Sequence, residues 1–454
     1  RLNKLWRRTE EETPFYEAQD ESWRDLPPVD PAEFLVAART FSYKTAQTWD
    51  GFHPRHDALL TASQAQVVTR LYQLMERVGV VHTVVRSVVA KLIPKHRAGV
   101  EQLAMRGIGL MPSFYRHWQR LRQPTARTWE RRHRDAMLAH QAGRSVMETV
   151  FVQALRNEAA STRAEDGSQN YCGAFLWDLA NYFEIISHSK LWDRASALDF
   201  PRCLMAVSLN QYKAKRFVGL SGITVASGYP DRGISAGCGW ATTYVQIYSL
   251  EPLQRWTAQH ERVPLSMFID DLKASSEEDS EGKVVAQLTT AGAAHKIMIQ
   301  EDLECEVASH KSIIIASTDS LLLKLQRAFG KHAGTAAITA KNLGFDDFAG
   351  RRRKGRRTTA VLRERRVKLQ KRLRRLYAVK RAGYDMKKLY QAGLQQYSTF
   401  GSEVVGLDPQ QLKVEQRQYV ALVGSPASSA SSTMTLAIES SPMWRQALGP
   451  LLAW

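Results

Sequence analysis

The chain has 454 residues, enough for two or three packed lobes, and 44% of them are hydrophobic, as in ordinary globular proteins. Its 63 Lys and Arg residues outnumber 45 Asp and Glu residues, and the net charge of +18 favours a polyanionic partner such as nucleic acid. The four cysteines are widely spaced and no apolar stretch is long enough to span a bilayer, which argues against a disulfide framework, a zinc module and a membrane-spanning helix. We therefore expect a soluble protein of a reducing compartment, the nucleus or the cytoplasm. Because the chain begins at Arg1, we also expect it to be part of a longer polypeptide.

Hydrophobic periodicity predicts the elements in chain order. Residues 1–60 are interrupted by prolines and predict short helices joined by loops, and residues 113–163 carry Arg-dense helical patterns. A helix is predicted within 61–95 from the spacing of Val67, Leu71, Leu74, Met75 and Val78. Strands are predicted at Val84-Val85, 88–93, 174–179, 265–272 and 311–316, and further helices at 188–198, 240–256 and 283–296. This alternation predicts a mixed body of helices and strands.

Two adjacent carboxylates, Asp270 and Asp271, lie inside the apolar run Phe268-Ile269-Asp270-Asp271-Leu272. The pattern is typical of a strand broken by a tight turn. Burying like charges side by side is costly unless a cation neutralises them, and a divalent metal ion does so. Asp178, in a second apolar run, is the natural third carboxylate of a two-metal site, with ions ~3.5–4 Å apart, for in-line phosphoryl transfer. The alternative is an Asp-Asp turn on a surface hairpin.

Glycines and cations surround these carboxylates in the sequence. Residues 232–240 contain three glycines within seven positions and precede a predicted helix, a pattern that allows a backbone to approach a ligand closely. Upstream, Lys95 and Arg106 flank strand-like segments and can hold a triphosphate. Both cations can equally be exposed strand charges.

Residues 351–381 are strongly basic, with sixteen Lys and Arg residues and one acid, Glu364. The spacing of Leu362, Leu369, Leu373 and Leu376 predicts one apolar helix face. We interpret the segment as a helix that grips phosphates, and the alternative is a solvated basic helix or a localisation signal.

The ordered set of motifs resembles the reverse transcriptase domain of non-LTR (LINE-type) retrotransposons and related retroelements. The five palm motifs of that family resemble, in order, residues 177–184, 233–238, 268–271, 311–312 and 342–344. Further resemblances lie at 48–51, 92–95, 140–145 and 400–404, so the similarity covers roughly residues 40–410. Three positions depart from the family pattern: Glu184 replaces an Asp, Ala236 a Gln and Gly107 a Pro.

The resemblance implies an RNA-directed DNA polymerase that transfers nucleotides from dNTPs to the 3′-hydroxyl of a DNA primer on an RNA template. The implied catalytic residues are Asp178, Asp270 and Asp271, which with the Leu179 carbonyl bind two Mg²⁺ ions, or Mn²⁺ in their place. The implied nucleotide-binding residues are Lys95, Arg106, Phe183, Gly237 and Lys311. The implied nucleic-acid-binding residues are Arg144, Leu343, Gly344, Arg363, Arg366 and Arg374.

The implied fold is an α+β right-hand polymerase with fingers, a palm containing an antiparallel sheet and a helical thumb. Its boundaries are an N-terminal extension at 1–34, fingers at 35–172, palm at 173–345, thumb at 346–415 and a Ser/Ala-rich linker with a C-terminal segment at 416–454. A flanking endonuclease in the same polypeptide and no contact with membranes are also expected. Two alternatives stay open: an RNA-dependent RNA polymerase, which usually has Gly where Ile269 precedes the carboxylates, and a decayed RNA-binding relic.

Overall fold

The computed structural model describes residues 15–17, 21–94, 105–141, 143–160, 170–330, 334–349, 360–400 and 409–423. Within these ranges the chain is a mixed α+β structure in which most strand pairs are antiparallel. No helix in the described ranges is long and apolar enough to cross a membrane. All four cysteines are free thiols and buried.

Eleven strands are described. They are β1 (Val88–Pro94), β2 (Met105–Leu110), β3 (Tyr171–Asp178), β4 (Arg216–Leu220), β5 (Ile223–Gly228), β6 (Leu265–Phe268), β7 (Asp271–Glu278), β8 (Ile313–Ala316), β9 (Thr335–Ala337), β10 (Thr339–Asn342) and β11 (Phe345–Phe348). The strands predicted near 174–179, 265–272 and 311–316 are therefore confirmed as β3, the β6–β7 hairpin and β8.

The helices account for most of the remaining described chain. They are α1 (Pro31–Arg39), α2 (Ala62–Val78), α3 (Ser113–Arg132), α4 (Val146–Ala160), α5 (Tyr182–Ile185), α6 (His188–Ala197), α7 (Arg202–Tyr212), α8 (Ala241–Gln259), α9 (Glu281–Glu301), α10 (Asp319–Phe329), α11 (Ala360–Arg381), α12 (Lys387–Leu389), α13 (Gln396–Thr399) and α14 (Pro409–Val423), with a π-helical segment at Tyr390–Gln395. The helices predicted at 188–198, 240–256 and 283–296 are confirmed as α6, α8 and α9.

Helix α2 shows what the apolar spacing fixes and what it leaves open. Thr61 caps its first turn by accepting from the Gln64 N–H, and Gly79 ends it in the left-handed region at φ 78°. The predicted helix is therefore confirmed. However, Val67 and Leu71 from the repeat that predicted it are exposed, because the buried face of α2 carries a different set of side chains, including Tyr72.

The short segment after α2 differs from the sequence-based expectation. Residues Thr83–Val85 form a 3₁₀ turn rather than a strand, and His82 caps it by accepting from the Val84 N–H. The local cap satisfies a backbone donor that a strand would pair with a neighbour, so the strand begins only at Val88.

The chain divides into two compact units. The first contains the described parts of 1–143, 177–272 and 291–308, and the second those of 144–176, 273–290 and 309–454. The first unit holds a four-stranded sheet of order β2-β1-β4-β5, in which β1 pairs antiparallel with β2 and parallel with β4. These units are not three consecutive segments, and the assignment of fingers, palm and thumb stays a prediction.

A second sheet has the order β6-β7-β3-β8-β9, and β10–β11 forms a separate hairpin. Strand β3 is buried along nearly its whole length and pairs antiparallel with β8 through Gly173 to Leu176. Its continuous apolar run thus reflects a strand covered on both faces, ending at the half-exposed Asp178.

The basic helix α11 packs through the predicted apolar face. Leu369 and Leu373 are buried in a cluster with Tyr390 and Tyr419, and Leu376 lies partly buried against it. Of the predicted basic segment, residues 351–359 and the Leu362 side chain lie outside the described residues. Within the second unit, α11 is therefore an amphipathic helix; most of its cations are exposed, whereas Arg365, Arg366 and Lys380 are half-buried.

Candidate active site

The end of β3 lies directly beside the β6–β7 turn in the first unit. The Leu179 N–H donates to the Asp270 main-chain oxygen at 2.9 Å. On the other side of β3, the Asp178 main-chain oxygen accepts from the Ala308 N–H at 2.8 Å. The two segments that carry the predicted carboxylates are thereby joined through their backbones. Asp178 and Asp270 are half-buried, whereas Asp271, the first residue of β7, is exposed.

The turn itself is strained. Ile269 has φ 61°, in the left-handed region that β-branched residues seldom adopt. Such a conformation costs about 1–3 kcal/mol and persists only where surrounding contacts impose it. A non-glycine residue in this conformation, next to a proposed catalytic carboxylate, is the type of local strain that clusters at active sites.

Residues 137–140 impose this conformation from the open edge of β6. Met267 exchanges two hydrogen bonds with them, donating to the Met137 oxygen at 2.7 Å and accepting from the Ala139 N–H at 2.8 Å. The Ile269 N–H then donates to His140 Nδ1 at 3.2 Å. Burial lowers the pKa of His140 to about 4, so the ring is neutral near pH 7 and Nδ1 can accept. In the sequence His140 stands out only as the first residue of the 140–145 motif, and no local pattern indicates this supporting role.

The donor set of the site fits a hard cation, although it is not a closed protein cage. Within the described ranges, no group of three or more His, Cys, Asp and Glu residues is arranged to hold a metal ion. Mg²⁺ in phosphoryl-transfer sites is commonly held by only one or two carboxylates, together with substrate phosphates and water. The oxygen donors of Asp178 and Asp270, on two segments joined by a backbone hydrogen bond, match that kind of site.

The glycine-rich loop is held against the segment that follows Asp178. The Gly233 oxygen accepts from the buried Arg216 guanidinium at 2.7 Å and from His188 Nε2 at 3.0 Å. The Ile234 N–H donates to the Phe183 oxygen at 2.8 Å. Phe183, the residue predicted to select the sugar, is half-buried in the helical turn α5. The loop position is therefore fixed relative to Phe183.

The glycines of this loop have a packing reason that the sequence did not reveal. A Cβ on Gly237 would lie 2.1 Å from the Gly109 oxygen, and a Cβ on Gly109 would lie 2.6 Å from Ser235 Cβ. The sequence predicted that the loop backbone lies close to a ligand; in the structure it lies close to strand β2 instead. The role of Gly237 in nucleotide binding stays a prediction.

The other predicted nucleotide-binding residues are only partly described. Arg106 lies on β2 opposite Ile93, and nothing is described of its side chain. Lys95 lies outside the described residues. Lys311 is exposed at the residue pair preceding β8, in the second unit.

Among the predicted nucleic-acid contacts, Leu343 and Gly344 form the two-residue turn of the β10–β11 hairpin. Both have positive φ, 47° and 85°, which is typical of the turn that joins tightly paired strands. Arg365 of α11 donates to the Gly344 oxygen and, at 2.6 Å, to the Phe400 oxygen. The hairpin tip and α11 are thus tied together within the second unit.

The remaining predicted contacts are arginines of the second unit. Arg144 and Arg366 are half-buried, and Arg363 and Arg374 are exposed on α11. The exposed pair is available to a polyanion.

A buried polar network with no local signal in the sequence anchors the same hairpin. Asp347 of β11 accepts from Lys273 at 2.6 Å and from Asn157 and Asn342 at 2.9 Å each. Lys273 and Asp347 are both only 6% exposed at their side chains. A buried charge pair with its hydrogen bonds satisfied fixes one arrangement of β7 and the hairpin within this unit.

Comparisons with known proteins assign no family to this chain. No family model matches the sequence, and no curated protein is significantly similar to it. One solved structure to which the chain is similar is an apo telomerase from Candida tropicalis, truncated from its C-terminal domain, with 10% sequence identity and a TM-score of 0.40. The match covers 64% of this chain and 60% of the telomerase chain, so the chain spans about three fifths of that protein's length. Similarity at this level supports no conclusion about activity.

Proposed function

We propose that the protein is a retroelement reverse transcriptase of the non-LTR type. It would add nucleotides from dNTPs to a DNA primer on an RNA template. The observation that carries the proposal is the hydrogen bond from the Leu179 N–H to the Asp270 oxygen, because it joins the two carboxylate-bearing segments expected from their order in the sequence. The strained Ile269 turn, supported by His140, adds to it.

In this proposal the carboxylates of Asp178, Asp270 and Asp271, with the Leu179 carbonyl, would hold two Mg²⁺ ions, with Mn²⁺ as a substitute. When bound, such ions lower the pKa of the primer hydroxyl and neutralise charge on the triphosphate.

The remaining residues of the nucleotide site bind the triphosphate, select the sugar or donate a proton. The Phe183 ring, five residues after Asp178, would exclude a ribose 2′-hydroxyl; the Ile234 hydrogen bond fixes the backbone of its turn. Lys95 and Arg106 would neutralise the triphosphate, Gly237 would contact the nucleotide, and Lys311 would donate a proton to the departing pyrophosphate.

The nucleic-acid contacts belong to the second unit. Arg144, the Leu343–Gly344 turn and the cations of α11 contact the template and primer strands. We propose the right-hand arrangement on this basis, with α11 in the thumb. Cations on an exposed helix face contact phosphates rather than base edges, so binding is nearly independent of sequence.

The test is primer extension by the full chain on an RNA template with Mg²⁺, supplied with dNTPs or with NTPs. We expect incorporation of dNTPs in preference to NTPs. A preference for NTPs would identify an RNA-dependent RNA polymerase. Retained RNA binding without any incorporation would identify a decayed relic. Either outcome would overturn the proposal.

The phosphate-gripping role of α11 predicts a specific salt dependence. Changing Arg363, Arg366 and Arg374 together to Gln should flatten the slope of log K against log salt by about one to three units, since each lost phosphate contact removes up to about 0.9. Affinity should fall similarly for duplexes of unrelated sequence, as measured by fluorescence anisotropy across a salt series.

The control for this experiment is a second triple Gln variant on α1 and α2, at Arg39, Arg70 and Arg77, all of which are exposed. It should keep the wild-type slope. If the α11 variant is folded by circular dichroism and also keeps that slope, a localisation signal is the better interpretation of the basic segment.

A further inference from the structure

A cavity of about 500 Å³ lies within the first unit, between helix α3, the glycine-rich loop and the start of α8. Three arginines of α3 line it: Arg116, Arg120 and Arg127. They are four and eleven residues apart, a spacing that puts them on one helix face. One acid, Glu130, shares the wall and is already engaged by the Thr243 hydroxyl at 2.5 Å. The cavity is therefore cationic.

Two polar side chains of the wall carry buried nitrogens without a hydrogen-bond partner among the described residues. Arg116 uses its terminal nitrogens to donate to the Ala46 oxygen and the Ser113 hydroxyl, but its buried Nε has no such partner. His140 accepts the Ile269 N–H at Nδ1, so the proton of its neutral ring is on Nε2. That Nε2 is buried and equally lacks a partner in the described ranges. Buried donors left in this way are available to an acceptor from outside the chain, either water or a ligand oxygen.

The arrangement favours phosphate oxygens of a strand over other anions. The guanidinium fork pairs with phosphate through two parallel hydrogen bonds. From Arg116 to Arg127 the helix rises about 16 Å, which exceeds the reach of one triphosphate and suits several consecutive phosphates. Arg120 already lies over the Phe41 ring, 4.6 Å from its centre, so its guanidinium is held in place.

We propose that this cavity binds the sugar–phosphate backbone of a single nucleic-acid strand through Arg116, Arg120, Arg127 and His140. His140 is also the residue that supports the Ile269 turn and meets the Phe268 ring edge-on, at 6.5 Å and 88°. A strand bound to its Nε2 therefore acts on the turn that carries Asp270. The inference that a strand binds here is drawn from the cavity alone. Only its link to nucleotide transfer rests on the proposed function.

The test measures binding without catalysis. The full chain is titrated in EDTA against a short fluorescein-labelled single-stranded RNA and followed by anisotropy across a salt series. Changing Arg120 and Arg127 to Gln should weaken binding and flatten the salt slope by about 1.4 units, at about 0.7 per phosphate on single strands. The matched control changes Arg131 and Arg132 of the same helix, which are exposed and not among the residues that line the cavity, and should leave the slope unchanged.

His140 is tested by His140→Phe, which keeps an aromatic ring and removes both nitrogens, and by His140→Gln, which restores a donor. We expect weaker RNA binding for Phe than for Gln, with both variants folded by thermal unfolding. Two results would overturn the proposal. One is an equal loss of RNA affinity in the Arg120/Arg127 variant and the Arg131/Arg132 control. The other is wild-type RNA affinity in both His140→Phe and the Arg120/Arg127 variant. Displacement of the RNA by unlabelled dNTP at equal phosphate concentration would overturn the strand assignment. Because these binding measurements require no nucleotide incorporation, their outcome does not depend on whether the polymerase assay succeeds.

Discussion

Asp270→Asn should reduce nucleotide incorporation at least about a thousandfold while the protein stays folded and binds nucleic acid. The change removes a charged oxygen that would bind the metal ions. Such a contact stabilises the transition state by several kcal/mol, and each 1.36 kcal/mol lost lowers the rate about tenfold. The hydrogen bond that ties the turn to β3 uses the Asp270 main-chain oxygen, so the substitution preserves it. The measurement is Mg²⁺-dependent dNTP incorporation on a primed RNA template.

The matched control for this prediction is Asp279→Asn. Asp279 is an exposed carboxylate at the end of the same hairpin and pairs with Lys283 at 2.7 Å. Its loss should leave incorporation near wild type, whereas Asp178→Asn should behave like Asp270→Asn. Near-wild-type activity of the Asp270 variant would remove the catalytic assignment.

Glu76→Ala should destabilise the protein by about 3–5 kcal/mol, the range for removing one partner of a buried ion pair. Glu76 of α2 accepts from Arg122 of α3 at both carboxylate oxygens, each at 2.6 Å, and from Trp118 Nε1 at 2.8 Å. The side chains of Arg122 and Glu76 are only 5% and 3% exposed. The substitution leaves the Arg122 charge buried without its carboxylate. Urea unfolding followed by tryptophan fluorescence measures the loss.

Two further variants separate the buried charge from the lost side chain. Adding Arg122→Met to Glu76→Ala should recover part of the stability, because the unpaired charge is gone. Glu251→Ala breaks the Arg255 pair, whose side chains are about half exposed, and should change the unfolding free energy by less than about 1 kcal/mol. A small effect of Glu76→Ala, similar to that of Glu251→Ala, would mean that the pair contributes little to stability.

Part of the candidate site was predictable because its signals are local. The apolar runs around Asp178 and Asp270 mark strands, and an acidic pair within such a run marks a turn, whatever lies elsewhere in the chain. The hairpin, β3 and the amphipathic character of α11 follow from such short patterns. The sequence could not place Lys311 in a different compact unit from Asp178, because the units interleave along the chain.

The sequence by itself determined the strands and helices around the carboxylates, the positions of those carboxylates and the excess of cations, because period and charge are properties of neighbouring residues. Only the tertiary structure decided which face of α2 is buried, that Gly237 packs closely against the Gly109 backbone, and that His140 supports the Ile269 turn. The last contact joins residues 129 positions apart. No local pattern encodes such a pair, because it forms only when packing brings the two segments together. The local conformational preferences of either segment carry no information about the other.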